Sequence, residues 1–310
     1  MIMRLKYKIL WIENEEDWVD SIYDQIQEHL SDLGFEFEKK LIAKEEESVN
    51  YDEYDLILMD LNLAEQPNGA ELIERIRNLN VFTDIVFYSS VGIDTLREKG
   101  REKNLEGVYY SGRTPDSSFV RKVCQVIDST IKKVQDLSNL RGLVMAEVSD
   151  LDSLMDEIIV KYYVDQSLLD EFHRRITKNK ENNIKKSLDN DGIDCEKTCK
   201  LNWRQFNIDK LLKIIDSSQK VRAINILLER HKKQGTDLYQ SPNDKGFVDN
   251  YLQDIIYVRN NLAHCSSVIE NGKEILKTRS GDLFFDTDMI IDIRKKIREY
   301  HELFLKIQEL

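Results

Sequence analysis

Two groups of residues in this 310-residue chain have types and spacings suited to chemistry. The first is dispersed. Glu13 and Asn14, then Asp60, then Ser89 each stand directly after a short apolar run. Carboxylate and amide oxygens are ligands for a hard cation, and a hydroxyl beside them can donate to or accept from an oxyanion. The second group is contiguous: Tyr257-Val258-Arg259-Asn260-Asn261-Leu262-Ala263-His264. Asn260 and His264 are four apart and share a helix face, while Arg259 lies to one side with a side chain long enough to reach the same ligand. An imidazole that titrates near neutrality can act as acid or base, and a guanidinium can hold an oxyanion through two parallel hydrogen bonds.

The elements that must position the first group alternate between strand and helix. Residues 8–12, 54–59 (YDLILM), 85–88 and 108–110 are short continuous apolar runs, the pattern of buried parallel strands. A weaker signal at 41–43 supplies a fifth. Helical spacing appears at 18–33, at 69–79 through Leu72, Ile73 and Ile76, and at 119–134. Strands separated by helices of this length imply right-handed crossovers and a parallel sheet covered on both faces. In such open sheets functional groups gather at the carboxyl ends of the strands, which brings Glu13, Asn14, Asp60 and Ser89 to one edge.

From about residue 120 strand signals fade. A linker helix over 131–150 is expected to lead from a first domain at 1–130 to a helical domain at 151–310. Helical patterns recur at 151–164, 166–177, 208–215, 220–231, 248–262 and 288–307, with polar loops at 179–200 and 234–245. Asn271-Gly272 between apolar flanks suggests a β-hairpin or long ordered loop within 268–286.

Composition narrows the classes. The net charge is −12, and it is uneven: residues 1–135 carry 17 Lys+Arg against 27 Asp+Glu, residues 136–310 carry 28 against 30. The acidic first half argues against nucleic-acid binding there, because phosphates are repelled. The near-neutral second half, with basic clusters at Arg174-Arg175 and Lys232-Lys233, permits a polyanion. Cys124, Cys195, Cys199 and Cys265 are scattered without a framework spacing, which fits a reducing compartment. Cys195-x3-Cys199 has no partner pair for zinc, and Cys265 beside His264 is poor tetrahedral geometry. No stretch is long and apolar enough for a membrane span and the first residues lack a leader pattern, so a cytoplasmic location without membrane attachment is expected. His173, His231 and His301 have no companions at meaningful spacing and read as solvated helix residues.

KILWIENEEDW, YDLILMDLNL and DIVFYSS, in that order and spacing, resemble the response-regulator receiver family over roughly residues 5–130, with the Pro67-x-Gly69 turn in the expected place. The resemblance implies a flavodoxin-like doubly wound parallel sheet. It also implies Mg²⁺ at Glu13, Asn14 and Asp60, phosphoryl transfer to Asp60 from a histidine kinase or other signalling partner, and switch roles for Ser89 and Tyr110. The sequence departs from the family in two places. Its acidic pair is Glu13-Asn14, one carboxylate fewer, with Glu15 or Glu16 available from the same loop. The usual Lys-Pro is absent from VYYSGRTP, where Arg113 is the remaining cation.

The second group resembles the Arg-x4-6-His motif of HEPN domains, small helical bundles that are frequently metal-independent endoribonucleases. Arg259, a polar residue at Asn260 and His264 after four intervening residues match it, late in a helical half. The resemblance implies an RNA substrate, no metal at this site and a homodimer that brings two motifs together. Arg259 would hold the scissile phosphate, Asn260 would orient and His264 would move the proton. The position that carries a modifiable Tyr in some relatives is Val268 here. Such an enzyme, gated by a receiver, would suit a toxin or antiviral role. The alternative is a non-enzymatic signalling adaptor in which the helical half only dimerises. A DNA-binding regulator is disfavoured, since no helix-turn-helix with a basic recognition helix is evident.

Overall fold

A computed structural model describes residues 5–46, 48–64, 67–133, 137–177, 208–213, 215–270, 273–278, 281–284 and 286–310. The Cys195 and Cys199 spacing and the loop at 179–200 lie outside the described residues. The chain divides into two units, one running to Leu140 and the other beginning at Arg141.

The first unit is an α/β layer structure. Strands β1 (Lys6–Ile12), β2 (Glu36–Ile42), β3 (Leu56–Asp60), β4 (Asp84–Ser89) and β5 (Val108–Gly112) form one sheet in the order β2-β1-β3-β4-β5, all parallel. That order is the doubly wound, flavodoxin-like arrangement used by receiver domains. Helices α1 (Glu16–Asp32), α2 (Gly69–Asn78), α3 (Ile93–Glu102) and α4 (Asp116–Lys133) make the crossovers. Two cores result, one on each face of the sheet. Tyr7, Ile9, Trp11, Leu58, Val86 and Tyr88 pack with α1 and α4 on one face. Leu10, Ile12, Ile57, Met59, Ile85 and Phe87 pack with α2 on the other. Alternate residues of one strand thus feed opposite cores, as the two-residue strand repeat requires.

Two elements differ from the sequence reading. β2 is seven residues long rather than a fragment near 41–43; as an edge strand, EFEKKLI buries only Phe37 and Ile42, so its apolar signal is diluted by charge. α3 was not anticipated. Of IDTLREKGRE only Leu96 and Gly100 are buried, so its amphipathic stripe is almost all polar.

The second unit is helical apart from a small sheet. After α5 (Leu137–Tyr162) come α6 (Gln166–Phe172), which continues as π-helix over His173–Thr177, then α7 (Ile208–Leu212) and α8 (Ser217–Lys233). Helices α9 (Phe247–Tyr251) and α10 (Val258–His264) are joined by a π-helical stretch, Leu252–Tyr257. The anticipated hairpin is β6 (Ser267–Glu270) with β7 (Lys273–Thr278), and β8 (Gly281–Phe284) adds a third antiparallel strand. The last helix is α11 (Thr287–Glu309). His173 and His301 are buried rather than solvated; on α11, Ile297, Tyr300, His301 and Phe304 fall on one stripe at helical spacing. Polar ties lock α5 to its neighbours: Ser217 Oγ donates to Asp152 at 2.6 Å, Lys220 pairs with Asp156 at 2.7 Å, and Tyr162 donates to the Ile307 carbonyl at 2.9 Å.

Candidate functional site

The carboxyl edge of the parallel sheet collects the dispersed residues. Glu13 follows β1, Asp60 ends β3 and Ser89 ends β4, and the sheet register sets Asp60 beside Tyr88 and Ser89 beside Gly112. All three side chains are buried, at 2%, 3% and 0% exposure. Asp60 Oδ2 accepts the Asn62 N–H at 2.8 Å, and Asn62 Nδ2 donates to Ser89 Oγ at 3.2 Å. Burial, reinforced by the Glu13 carboxylate, pushes the Asp60 carboxyl up to about 6. Gly69 is needed behind it, because a Cβ there would collide with the Asp60 carbonyl.

Glu13 is saturated by its surroundings. Its Oε1 accepts the N–H groups of Asn14 and Glu15, both at 2.9 Å, and its Oε2 accepts the Tyr88 hydroxyl at 3.0 Å. Tyr88 in turn accepts from Trp11 Nε1 at 2.8 Å. Burial and the nearby Glu13 charge raise the Tyr88 phenol, so it stays a donor. Asn14 is exposed, and its backbone rather than its side chain is what meets Glu13.

Arg113, one residue past β5, binds Glu15 with two hydrogen bonds at 3.0 and 2.6 Å and lies 3.8 Å from Glu13 Oε2. Its guanidinium stacks 4.1 Å over the Trp18 ring, while the Arg113 backbone N–H donates to the Ser89 carbonyl at 2.9 Å. The hydrogen bond from Arg113 holds the Glu15 carboxyl below its ordinary range. Tyr110 is half-buried, its ring near Phe87 and its hydroxyl against Gly100, where a Cβ would clash with it. Of the expected residues, then, the fold gathers Glu13, Asp60, Ser89 and Arg113, while Tyr110 packs against α3. Sequence reasoning missed Asn62, Trp18 and Tyr88. Asn62, two residues past Asp60, was legible in principle; the two aromatics read simply as core.

In the second unit, α10 carries Arg259, Asn260 and His264. Asn260 and His264 are both exposed, four residues apart on regular α-helix, so they present one face. Arg259 is half-buried, and its Nε is buried without a hydrogen-bond partner among the described residues. Its charge acts on two neighbours, helping to hold down the Asp152 carboxyl that burial raises and the phenol of buried Tyr251. Below the motif, Tyr300 on α11 donates to Asp254 at 2.9 Å, pinning the π-helical stretch. Arg141 donates to the Cys265 carbonyl at 2.9 Å just beyond it. Val268 is 37% exposed on β6.

Among the described residues no group of three or more His, Cys, Asp and Glu is placed to hold a metal ion, and no helix is long and apolar enough to cross a membrane.

No family model matches the chain, and neither does any curated protein. Solved structures do. A Francisella response regulator receiver domain is 14% identical and covers 42% of this chain and 100% of its own, with a TM-score of 0.32. The BeF3-activated N-terminal receiver domain of Klebsiella pneumoniae RstA is 18% identical, covering 38% of this chain and 97% of its own, with a TM-score of 0.30. A CheY-like receiver domain protein of Methanospirillum hungatei JF-1 is 18% identical, covering 41% and 98%, with a TM-score of 0.30.

Proposed function

We propose that this chain is a signalling protein in which a receiver-like domain governs a helical effector that cleaves RNA. The observation that carries the signalling half is the buried Glu13–Asp60–Ser89 cluster on the carboxyl edge of a β2-β1-β3-β4-β5 sheet. Two buried carboxylates close enough for the charge of one to raise the carboxyl of the other mark a functional-site candidate. Asp60 is the residue on which the input acts, through a phosphoryl group or through a docked partner such as a histidine kinase, and Ser89 with Asn62 reads its state.

The effector half rests on α10. Exposed Asn260 and His264 share a face that a phosphodiester can approach, with Arg259 beside them. In-line attack by a ribose 2′-hydroxyl needs a proton acceptor and a cation for the extra phosphate charge; His264 and Arg259 supply these, and Asn260 orients. No metal takes part. A single exposed pair is a thin catalytic kit, so a second copy of the chain completes it as a homodimer.

The test is cleavage of RNA by the purified full chain in EDTA beside Arg259→Ala and His264→Ala, with end-group analysis. Ends bearing 2′,3′-cyclic phosphate, lost by at least about a hundredfold in both variants, are expected. The half-buried setting of Arg259 beside Asp152 favours a second reading, a non-enzymatic adaptor in which Arg259 is a structural ion. That reading predicts no cleavage by any of the three proteins and a lower melting temperature for Arg259→Ala alone.

A further inference from the structure

We infer that the Arg113 guanidinium is the resident cation of the Glu13–Asp60 edge and takes the place that a divalent metal ion would otherwise fill. The inference rests on the signalling reading only in treating Asp60 as the working carboxylate.

The donor set does not suit Mg²⁺, which demands near-octahedral oxygen coordination and is usually held by one or two carboxylates with free lone pairs. Glu13 has few to offer. Its two oxygens accept three hydrogen bonds, from the Asn14 and Glu15 backbone and from Tyr88, at 2.9 to 3.0 Å. Those bonds fix the carboxylate in the wall of the sheet edge, its Oε2 already 3.8 Å from Arg113. Glu15, the next carboxylate in the loop, is engaged by both terminal nitrogens of Arg113. Asp60 is then the one buried carboxylate not already tied to that cation or to the loop backbone among the described residues, with Oδ2 accepting the Asn62 N–H, while Asn14 and Glu16 are exposed.

Arg113, by contrast, is held on four sides. Two carboxylates face it, Trp18 lies under it and its backbone is tied to β4 through the Ser89 carbonyl. Its side chain is only 11% exposed. A planar guanidinium suits this seat where an ammonium would not, since it can bind a carboxylate in fork geometry and stack on an indole at once. The positive charge is thereby fixed where the edge concentrates its negative charge.

The full chain is titrated with MgCl₂ at constant ionic strength, reading intrinsic tryptophan fluorescence, since Trp18 lies against the guanidinium. Wild type, Arg113→Met and the Arg113→Met/Asp60→Asn double variant are compared. Expected is a saturable change in Arg113→Met, no saturation in wild type up to at least about ten times the MgCl₂ concentration that half-saturates that variant, and loss of the change in the double variant. Saturable, Asp60-dependent binding by wild type as tight as that of Arg113→Met overturns the inference, as does a flat titration of a folded Arg113→Met. Should Arg113→Met fail to fold, wild type still decides. Its melting temperature should be the same in about 10 mM MgCl₂ as in ionic-strength-matched NaCl, and a magnesium-specific rise absent from Asp60→Asn overturns the assignment. Neither result touches RNA cleavage in EDTA, so the inference and the proposed function fail separately.

Discussion

Asp60 is held in a place where its negative charge is costly. Burial and the Glu13 carboxylate lift its carboxyl from 3.8 to about 6, against the relief given by Asn62 and Arg113. The folded carboxyl therefore binds its proton more tightly than the unfolded one. Stability falls as pH rises from about 4 to about 6, and the loss is complete at neutral pH. A shift of this size corresponds to about 1–3 kcal/mol. Asp60→Asn is expected to be more stable than wild type by that amount at neutral pH, with the advantage shrinking toward zero near pH 4, as read by urea denaturation at both pH values. An equal difference at both would show that the gain is one of packing rather than charge. The acidic edge thus carries a stability cost that the neutral Asn would remove.

At the scale of elements, what positions Asp60 is the close approach of α2. Gly69 opens that helix directly against the Asp60 carbonyl, and Asn68 caps it by accepting the Glu71 N–H at 3.1 Å. Gly69→Ala must move backbone, not a flexible side-chain tip, and should lower stability by about 1–3 kcal/mol in denaturant titration. Gly100→Ala meets the tip of the Tyr110 side chain, hydroxyl and ring edge together, and should cost less while displacing that ring. These contacts explain what was legible in the sequence. β1, β3 and β4 are buried on both faces, so KILWI, LILM and IVFY stand out as apolar runs and deliver Glu13, Asp60 and Ser89 to one edge. β2 is half-buried through charged side chains and α3 faces water over most of its surface, so both leave little apolar trace. Arg113 could be named from its position after β5, but not its pairing. Its partner Glu15 and its platform Trp18 lie about a hundred residues away in sequence, and nothing local ties them together. Similarly, a helical pattern was readable over 248–262, whereas the π-helical turn inside it and the half-burial of Arg259 depend on distant neighbours such as Tyr300 on α11 and Asp152 on α5.

At the scale of the molecule, the two units are built on different principles, one on a sheet with a core on each face and one on helices joined by part-buried polar ties. Each face of the sheet is filled from residues between Leu5 and Leu140 alone, with Tyr7 to Ile131 on one side and Leu10 to Leu96 on the other. A fragment of residues 1–140 is expected to unfold in one cooperative step, with fluorescence and circular dichroism giving coincident curves. Non-coincident curves would mean that the second unit is needed to complete the first. The concentration of acidic charge in this unit disfavours polyanion binding there.

The π-helical stretch Leu252–Tyr257 has a consequence for comparing this chain with others. A π-turn accommodates one residue more than the α-helical path it interrupts. A relative without it would align here only across a single-residue gap, placed somewhere between Tyr251 and Val258. Counted straight through from Tyr251 without that gap, every later position would be assigned to a helix face about 100° away from its true one. Asn260 and His264 would then be matched to the wrong residues, although the helix on either side looked perfectly conserved in length and kind.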